Sequence, residues 1–463
     1  MKSADGKVIL CRSDYAKWKN PNTKFCENVE KFTWKTWNRF EVSLITFGAT
    51  FLEIKAPDRD GEITDVLMGY ESFKDCVNDR KCCFGSIAGP VTGVVNKAEF
   101  CYKGKLIRMQ KNLKNKHWTN CGFKGINKVN WQPYTEDNDL ILSHVTDGSE
   151  GFPGIVLIQI YFTVNATNTV IIKATARTNQ VTPIDISYRF NINLAAHDAG
   201  IEGLMEHLVE VNSSKKCIKT NVGVFKGLVE DVTMVAKNGE LEDDLEEKVT
   251  SYDLQTRRKV DEVIKTSTGT FECHYIVDRL VSDDPQFVAR IIHPPKGRVL
   301  EIHANQKTFN FSTCSDFPKV DEKSEVVGNR KEDEATARNS TENFTLEYLR
   351  TKLTEKEIEF FRCHADTDSM KLRINSTSSD NQSGDCTGFG ISPKDAPDEP
   401  VKGKQGVTYL QNSGIAFTSQ NFPNAVNLQQ NYSDIFLMPG QVYENVLVLK
   451  FSVHIHNDSK DKK

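Results

Sequence analysis

This 463-residue chain contains twelve cysteines, and the spacing of cysteines indicates which chemistry they can carry out. No two cysteines are separated by two residues, so the spacing gives neither a zinc-ribbon nor a thioredoxin-type motif. We predict no metal site and no cofactor. An even number without metal-binding spacing is typical of disulfides in an oxidising compartment, the alternative being buried free thiols in a cytosolic protein. The twelve cysteines are Cys11, Cys26, Cys76, Cys82, Cys83, Cys101, Cys121, Cys217, Cys273, Cys314, Cys363 and Cys386.

A second pattern, N-x-[ST], marks acceptor sites for N-linked glycans and occurs nine times. With the cysteines it predicts a secreted, extracellular glycoprotein. The start, Met1 to Gly6, has no hydrophobic signal-peptide core. We expect that a leader has been removed from this numbering; the alternative is that the protein is not secreted. The predicted glycosylation sites are Asn165, Asn212, Asn310, Asn339, Asn343, Asn375, Asn381, Asn431 and Asn457.

Composition excludes several classes of protein. The formal net charge of -4 argues against nucleic acid as a partner, since such binders carry a basic excess. The longest apolar run, Ile155 to Val164, is too short for a membrane helix, so we predict no membrane span. The 26 Phe, 12 Tyr and 5 Trp give enough apolar surface to exclude disorder throughout.

Alternation of apolar and polar residues, the period of a half-buried strand, dominates the chain. Leu447 to Ile455 and Ile158 to Val164 show it clearly, and the second run continues through a polar turn into Val170 to Ala176 as a hairpin. Many short strands between turns predict an all-β sandwich or barrel. The other predicted strands are Val42 to Ile54, Leu140 to Val145, Phe271 to Val277, Phe287 to Ile292, Val299 to His303 and Ile435 to Met438.

Three polar, charge-rich or Ser/Gly/Pro-rich segments interrupt this pattern and are predicted to be exposed insertions, at about 230–265, 319–343 and 364–406. Between the last two, Leu346 to Phe361 is the best predicted helix, with Thr354 and Glu357 as a capping box. A disulfide between Cys363 and Cys386 would close much of the third insertion. We expect one domain over 41–458, after an N-terminal extension of 1–40 and before a polar tail of 459–463.

Several phrases, in this order and spacing, resemble the aldose 1-epimerase (galactose mutarotase) family. One of them is Asp147-Gly-Ser-Glu-Gly-Phe-Pro-Gly154, which is similar to the family's "DGEEGYPG" turn. The others are Phe47-Gly-Ala-Thr50, Ala56 to Gly61, Phe100 to Gly104 with Asn112, Gly125 to Trp131, Thr182-Pro183, Asn193-Leu194, Ala289-Arg290, Gly297 to Glu301, Gly414 to Asn427 and Pro439-Gly440. The resemblance implies a large galactose-mutarotase-like β-sandwich (supersandwich), carrying here polar loop insertions and a short helix.

The resemblance also implies a chemistry, the opening and reclosing of a sugar ring by a base and an acid. The family uses a Glu base, a His acid and a second His in an H-G-G motif. These positions are degenerate here and fall on Thr418, Arg189 and Asn120. A threonine hydroxyl is no general base near pH 7 without an activator, and arginine cannot cycle a proton.

Further family positions also differ. The arginines of the family's "GRVANR" phrase are replaced by Pro90 and Val94, and its sugar-binding Asp aligns with Glu272. We therefore expect a catalytically inactive, pseudoenzyme member that binds carbohydrate or another polar ligand in the former cleft. We expect Arg189 to have its guanidinium near Glu272 or near that ligand. The ligand-binding candidates are Trp118, Asn120, Tyr188, Arg189, Glu272, Thr418 and Gln420, with Trp118 or Tyr188 stacking on a sugar face.

Two alternatives stay open. One is an active epimerase on an unusual sugar, with Glu272 and either His117 or His274 as a rebuilt acid/base pair. The other is a structural or interaction protein that uses the sandwich as a scaffold.

Overall fold

The computed structural model describes residues 8–79, 83–120, 122–146, 148, 151–233, 250–267, 269–280, 282, 284–319, 401–428 and 433–454. Strands dominate this part of the chain and are numbered here in chain order. They are β1 (Val8–Lys19), β2 (Cys26–Thr36), β3 (Glu41–Ile45), β4 (Thr50–Pro57), β5 (Ile63–Asp65), β6 (Ile87–Ala88), β7 (Val94–Val95), β8 (Glu99–Tyr102), β9 (Lys105–Arg108), β10 (Trp118–Thr119), β11 (Gln132–Glu136), β12 (Asp139–Val145), β13 (Val156–Val164), β14 (Thr169–Thr178), β15 (Thr182–Pro183), β16 (Ser187–Ile192), β17 (Leu208–Val211), β18 (Lys215–Lys219), β19 (Phe225–Asp231), β20 (Arg258–Lys259), β21 (Glu272–Ile276), β22 (Gln286–His293), β23 (Arg298–Ala304), β24 (Thr308–Ser312), β25 (Val401–Lys402), β26 (Thr408–Tyr409), β27 (Ile415–Gln420), β28 (Phe436–Leu437) and β29 (Tyr443–Val453).

The helices in the described residues are short. The α-helices are α1 (Phe73–Asn78), α2 (Gly200–Met205) and α3 (Val260–Lys265), and the 3-10 turns are Asn96–Ala98, Ile126–Lys128, Lys404–Gly406, Ala425–Asn427 and Ser433–Ile435. None of the helices in this part of the chain has the length and hydropathy to cross a membrane. The all-β fold class predicted from the sequence is confirmed.

Two large sheets make up most of the sandwich. One has nine strands in the order β11-β12-β13-β14-β29-β23-β22-β17-β20, and the other has seven in the order β19-β18-β21-β24-β27-β16-β6. Apolar side chains from both sheets belong to one buried core, in which Phe162 of β13 meets Tyr188 of β16 with ring centroids 6.2 Å apart. The core therefore lies between the two sheets.

The first forty residues were expected to be an extension. From residue 8 onward they form β1 and β2, and β2 pairs with β3 in a five-stranded sheet of order β1-β2-β3-β4-β5. Phe32 and Trp34 of β2 are fully buried in the main core. This segment is therefore built into the sandwich.

Most predicted strands are found close to their expected bounds, including those in β12, β13, β14, β21, β22 and β23. Two predictions were wrong in detail. Val42 to Ile54 is two strands, because Gly48 and Ala49 adopt positive φ angles of 63° and 46° and turn the chain between β3 and β4. Within Ile435 to Met438 only the two residues of β28, Phe436–Leu437, are extended, because Ile435 ends a 3-10 turn.

The segment at 230–265 was predicted to be an exposed insertion, but its C-terminal end packs into the main core. Helix α3 buries Val260, Val263 and Ile264 in the main core, because its apolar residues recur at helical spacing on one side. The helix predicted at 346–361 lies outside the described residues. So do the Cys363–Cys386 disulfide, the insertion at 319–343 beyond Lys319, the third insertion up to residue 400 and the tail at 459–463.

The disulfides expected from the even number of cysteines are not found for at least half of them. Cys11 and Cys26, for example, lie opposite Thr33 and Lys19, near the two ends of the β1–β2 hairpin, too far apart to be bridged. The free thiols are Cys11, Cys26, Cys76, Cys217, Cys273 and Cys314, which is half of the twelve cysteines.

The aromatic side chains that pack beneath β27 lead to a first prediction, about the free energy of unfolding. Phe417 is 1% exposed, and its ring lies 5.6 Å from that of Phe190 and 5.9 Å from that of Phe309. Phe417→Ala should lower the free energy of unfolding by about 3–5 kcal/mol, through lost burial and the cavity left behind. Urea unfolding followed by circular dichroism measures it. Phe25→Ala, at a side chain that is 54% exposed, is the matched control with an expected loss below about 0.5 kcal/mol. Equal losses in the two variants would contradict this account of the core.

Candidate functional site

Four side chains lie at one level across the middle of the seven-stranded sheet. The pairing register places these residues side by side on β16, β27, β24 and β21, as Arg189, Thr418, Asn310 and His274. Directly opposed residues of paired strands project to the same side of a sheet, so all four share one face. The alternate residues, such as Phe417, project to the other side and into the core.

The neighbouring levels extend this polar row in both directions. Glu272 lies opposite Ser312 on one side of the row, and Thr308 lies opposite Gln420 on the other. We call this side of the sheet the polar face. The register therefore brings four of the predicted ligand-binding residues together, namely Arg189, Thr418, Glu272 and Gln420. The register also places on the polar face three residues of β24 that the sequence analysis did not name, Thr308, Asn310 and Ser312. The alternation of polar and apolar residues along this strand was a signal for them.

Asn120 reaches the edge of this site through Gly93. The Asn120 side-chain oxygen accepts the Gly93 N–H at 3.1 Å, and the Asn120 N–H donates to the Gly93 carbonyl at 3.0 Å. Gly93 has φ 82°, and a Cβ there would lie 3.0 Å from Nε2 of Gln420 and 3.2 Å from Cβ of Pro423. Glycine is needed at this close approach, which joins the loop between Pro90 and Val94 to the end of β27.

Two predicted stacking residues do not reach the polar face. Trp118 is fully buried, in a separate cluster where its ring packs edge-on against Phe152 at 5.4 Å. Tyr188 precedes Arg189 on β16, so it projects into the core, where its hydroxyl donates to the Ala49 carbonyl at 3.1 Å. Neither ring is available to a sugar, and the prediction that one of them stacks on a ligand was wrong.

Arg189 is held by a carboxylate that sequence reasoning missed. Its Nη2 lies 2.9 and 2.8 Å from the two carboxylate oxygens of Asp316, which follows β24 in the chain. The side chains are 19% and 33% exposed, so the pair is partly shielded from water. The expected pairing of Arg189 with Glu272 is not found, because three strand spacings, about 14 Å, separate β16 from β21.

Glu272 has partners of its own. Lys219 donates to one of its carboxylate oxygens at 2.8 Å, and the Ser315 hydroxyl donates to the other at 3.2 Å. Burial alone would raise the pKa of Glu272, but the charge and hydrogen bond of Lys219, with Ser315 and the charge of Arg189, lower it below the usual range. The loop residues Ser315 and Asp316 thus link two ion pairs in one chain of contacts along the polar face.

His274 lies two residues after Glu272 on β21 and is neutral. Its Nε2 is 2.8 Å from the Thr308 hydroxyl, whose own hydrogen is directed to the carbonyl of Gln420 or Asn421, each at 3.0 Å. The hydroxyl therefore accepts from His274, which fixes the tautomer with the proton on Nε2. Burial and the charge of Lys219 hold the pKa of His274 well below the usual range. This histidine does not supply a proton near pH 7.

Two buried amide atoms on the polar face have no hydrogen-bond partner among the described residues. They are Nε2 of Gln420, whose side chain is 3% exposed, and Oδ1 of Asn310. Gln420 and Asn310 are diagonal neighbours on adjacent strands, which places them about 7–8 Å apart. One donor and one acceptor at this separation suit the hydroxyl groups of one small polar ligand. In the part of the chain that the structure describes, no three His, Cys, Asp or Glu side chains are grouped to hold a metal ion.

The described glycosylation candidates differ in their surroundings. Asn165 sits in the turn between β13 and β14, and its side-chain oxygen accepts from Thr167, which leaves the position suited to a glycan. Asn212 uses its amide nitrogen to donate to two backbone carbonyls, and Asn310 lies inside the polar face, so we no longer expect glycans on these two. The sites outside the described residues are Asn339, Asn343, Asn375, Asn381, Asn431 and Asn457. Secretion stays a prediction.

Solved structures with the same architecture come from mutarotase-like proteins. The chain matches the structure of an aldose epimerase homologue from C. elegans with a TM-score of 0.63 at 16% identity, over 89% of this chain and 96% of that one. It matches galactose 1-epimerase from Lactobacillus acidophilus with a TM-score of 0.62 at 12% identity, over 97% and 100%. The fold is therefore a galactose-mutarotase-like β-sandwich.

The sequence comparison gives the family. The family model for aldose 1-epimerase matches residues 30–336. The galactose mutarotase of Sus scrofa is 23% identical over 427 residues, which cover 92% of this chain and 94% of that protein. An aldose 1-epimerase of Streptococcus thermophilus is 29% identical over 149 residues, 30% of this chain and 41% of that protein. The chain belongs to the aldose 1-epimerase family.

The Lys219–Glu272 pair predicts a change in titration. In Lys219→Met the pKa of Glu272 should rise, because burial remains while the main compensating charge is lost. In the wild type, the stabilisation due to the lowered pKa is present above the pKa of an unfolded glutamate. It disappears as the pH falls through the lower folded value. Carbon-13 NMR titration of the Glu272 carboxyl measures the shift.

The matched control is Lys173→Met, which removes an equivalent charge from a pair with Glu444 on the other large sheet. It should leave the titration of Glu272 unchanged. A Glu272 pKa that is the same in wild type and Lys219→Met would show that the ion pair does not form in solution.

Proposed function

We propose that this protein is a member of the aldose 1-epimerase family that binds a carbohydrate at the polar face without interconverting its anomers. The proposal has two parts, the loss of proton exchange and the retention of a binding surface. The contacts of the polar face support each part separately.

The loss of catalysis is supported by Thr418 and Arg189 at the two family positions. Mutarotation needs a group that removes a proton and another that returns one. The Thr418 hydroxyl has no carboxylate or basic histidine among its paired neighbours, Arg189 and Asn310. Arg189 stays protonated and is neutralised by Asp316 rather than by a reacting group.

The geometry does not favour a rebuilt acid/base pair. Glu272 is ion-paired with Lys219 and its pKa is lowered, which makes it a poor proton donor near neutral pH. The neutral His274 ring donates a hydrogen bond to the Thr308 hydroxyl. His117 accepts the Lys97 N–H through Nδ1 at 3.2 Å, and burial and the charges of Lys116 and Lys114 lower its pKa. Each candidate is thus fixed in one protonation state.

The unpartnered amides carry the binding part of the proposal. An amide group that is buried without a hydrogen bond costs free energy, and a ligand hydroxyl removes that cost. Nε2 of Gln420 offers the donor and Oδ1 of Asn310 the acceptor, on the same face as Thr418. Relatives that match this chain over 92% of its length are named galactose mutarotases, so galactose is the first sugar to test.

The first prediction from this proposal is that the protein does not accelerate the mutarotation of galactose or glucose. General acid and base groups contribute about 10²–10⁴-fold each, so losing both leaves little catalysis. Polarimetry on freshly dissolved α-anomer should give the buffer rate. A faster rate that disappears in Glu272→Gln would establish the rebuilt-pair alternative and refute the proposal.

The second prediction concerns binding. Galactose should show saturation-transfer NMR signals with the wild type that are reduced about tenfold in Gln420→Met, because the donor amide is lost while the side chain keeps its size. Ser419→Ala is the matched control, since Ser419 is adjacent on β27 but projects to the opposite side of the sheet. It should bind galactose normally.

Signals of equal strength in the wild type and Gln420→Met would place the sugar elsewhere. Absence of signals with galactose and glucose would favour the scaffold alternative.

A further inference from the structure

A cavity of about 480 Å³ lies beyond the end of β27, beside the loop that contains Gly93. Its walls come from four separate parts of the chain, represented by Asn96, Lys116, Phe225 and Asn424. Asn424 fastens two of these walls together: its side-chain oxygen accepts the Asn96 N–H at 3.0 Å, and its amide nitrogen donates to the Phe225 carbonyl at 3.2 Å. These hydrogen bonds fix the backbone of Asn96 and Phe225 relative to Asn424, whereas Lys116 and Lys226 are exposed at the cavity.

One buried polar group is directed at this cavity. His117 lines it and is only 5% exposed. Because Nδ1 accepts the Lys97 N–H, the neutral ring carries its proton on Nε2. Nε2 makes no hydrogen bond to any described residue, so this donor is available to an occupant of the cavity.

The charged side chains that line the cavity are all positive. Lys116 and Lys226 both line the cavity, and neither forms an ion pair with a residue that the structure describes. No aspartate or glutamate is among the described lining residues. The lowered pKa of His117, caused by burial and by Lys116 and Lys114, is a further sign of positive potential there. An apolar wall of Phe225, stacked on Phe422 at 5.9 Å, completes the lining.

We propose that this cavity binds an oxyanion-bearing small molecule, with Nε2 of His117 and the ammonium groups of Lys116 and Lys226 as donors to the anion. Ammonium groups bind phosphate, sulfate and carboxylate as point charges, and a neutral imidazole N–H adds a directional hydrogen bond. The apolar wall suits the uncharged part of such a molecule. The site is separate from the proposed galactose site, since Gln420 does not line it.

The test titrates the full chain with inorganic phosphate, inorganic sulfate, glucuronate and galactose. Proton–carbon NMR of the His117 ring follows binding. At least one of the three anions should shift this resonance saturably, while galactose should not. The order of affinities separates a tetrahedral anion from a carboxylate. Lys116→Met and Lys226→Met should each weaken binding of the best anion about 1.5-fold to fivefold, the range for exposed ion pairs, and added salt should weaken it too.

Two controls keep the outcome decisive. Lys173→Met, which removes a charge from the other large sheet, should leave the anion affinity unchanged. Gln420→Met should also leave it unchanged, so failure of galactose binding and failure of this site can be told apart. The proposal is overturned if no anion gives a saturable shift, if galactose shifts His117 equally well, or if Lys173→Met weakens the anion as much as Lys116→Met.

Discussion

The pairing register of β16, β27, β24 and β21 is the constraint on which the site depends. A slip by one residue at any of these strands would exchange Thr418 for Phe417, or Asn310 for Phe309, on the polar face. The aromatic core forbids that slip, since each phenylalanine is buried against its neighbours on the adjacent strand. The same hydrophobic contacts that stabilise the sandwich therefore set the positions of the polar side chains.

On this fixed surface, two ion pairs hold the charged residues, one between Arg189 and Asp316 and one between Lys219 and Glu272. Ser315 and Asp316, from the loop after β24, reach Glu272 and Arg189. Both pairs are only partly shielded, so each adds modest stability while holding its members in one charge state. In the function proposed above, a surface organised in this way hydrogen-bonds a polyol without passing protons to and from it.

The sequence predicted much of this arrangement because strand alternation and motif order are local properties. The strands, the fold class and the placement of Arg189, Thr418, Glu272 and Gln420 on one face follow from them. The ion-pair partners of these residues could not be predicted in this way. Lys219 and Asp316 are brought close to them only by the order of the strands in the sheet and by the path of a loop. Tyr188 and Trp118 were misassigned for the same reason, because an aromatic side chain can pack in a core as readily as it can stack on a sugar.

The measurement that tests this account most directly is a crystal structure of the protein soaked with galactose. The account predicts sugar hydroxyls within hydrogen-bond distance of Nε2 of Gln420 and Oδ1 of Asn310, with the Arg189–Asp316 pair intact beside them. A polar face that remains without sugar at saturating galactose, or a sugar whose ring oxygen and anomeric hydroxyl contact Glu272 and His274, would contradict it.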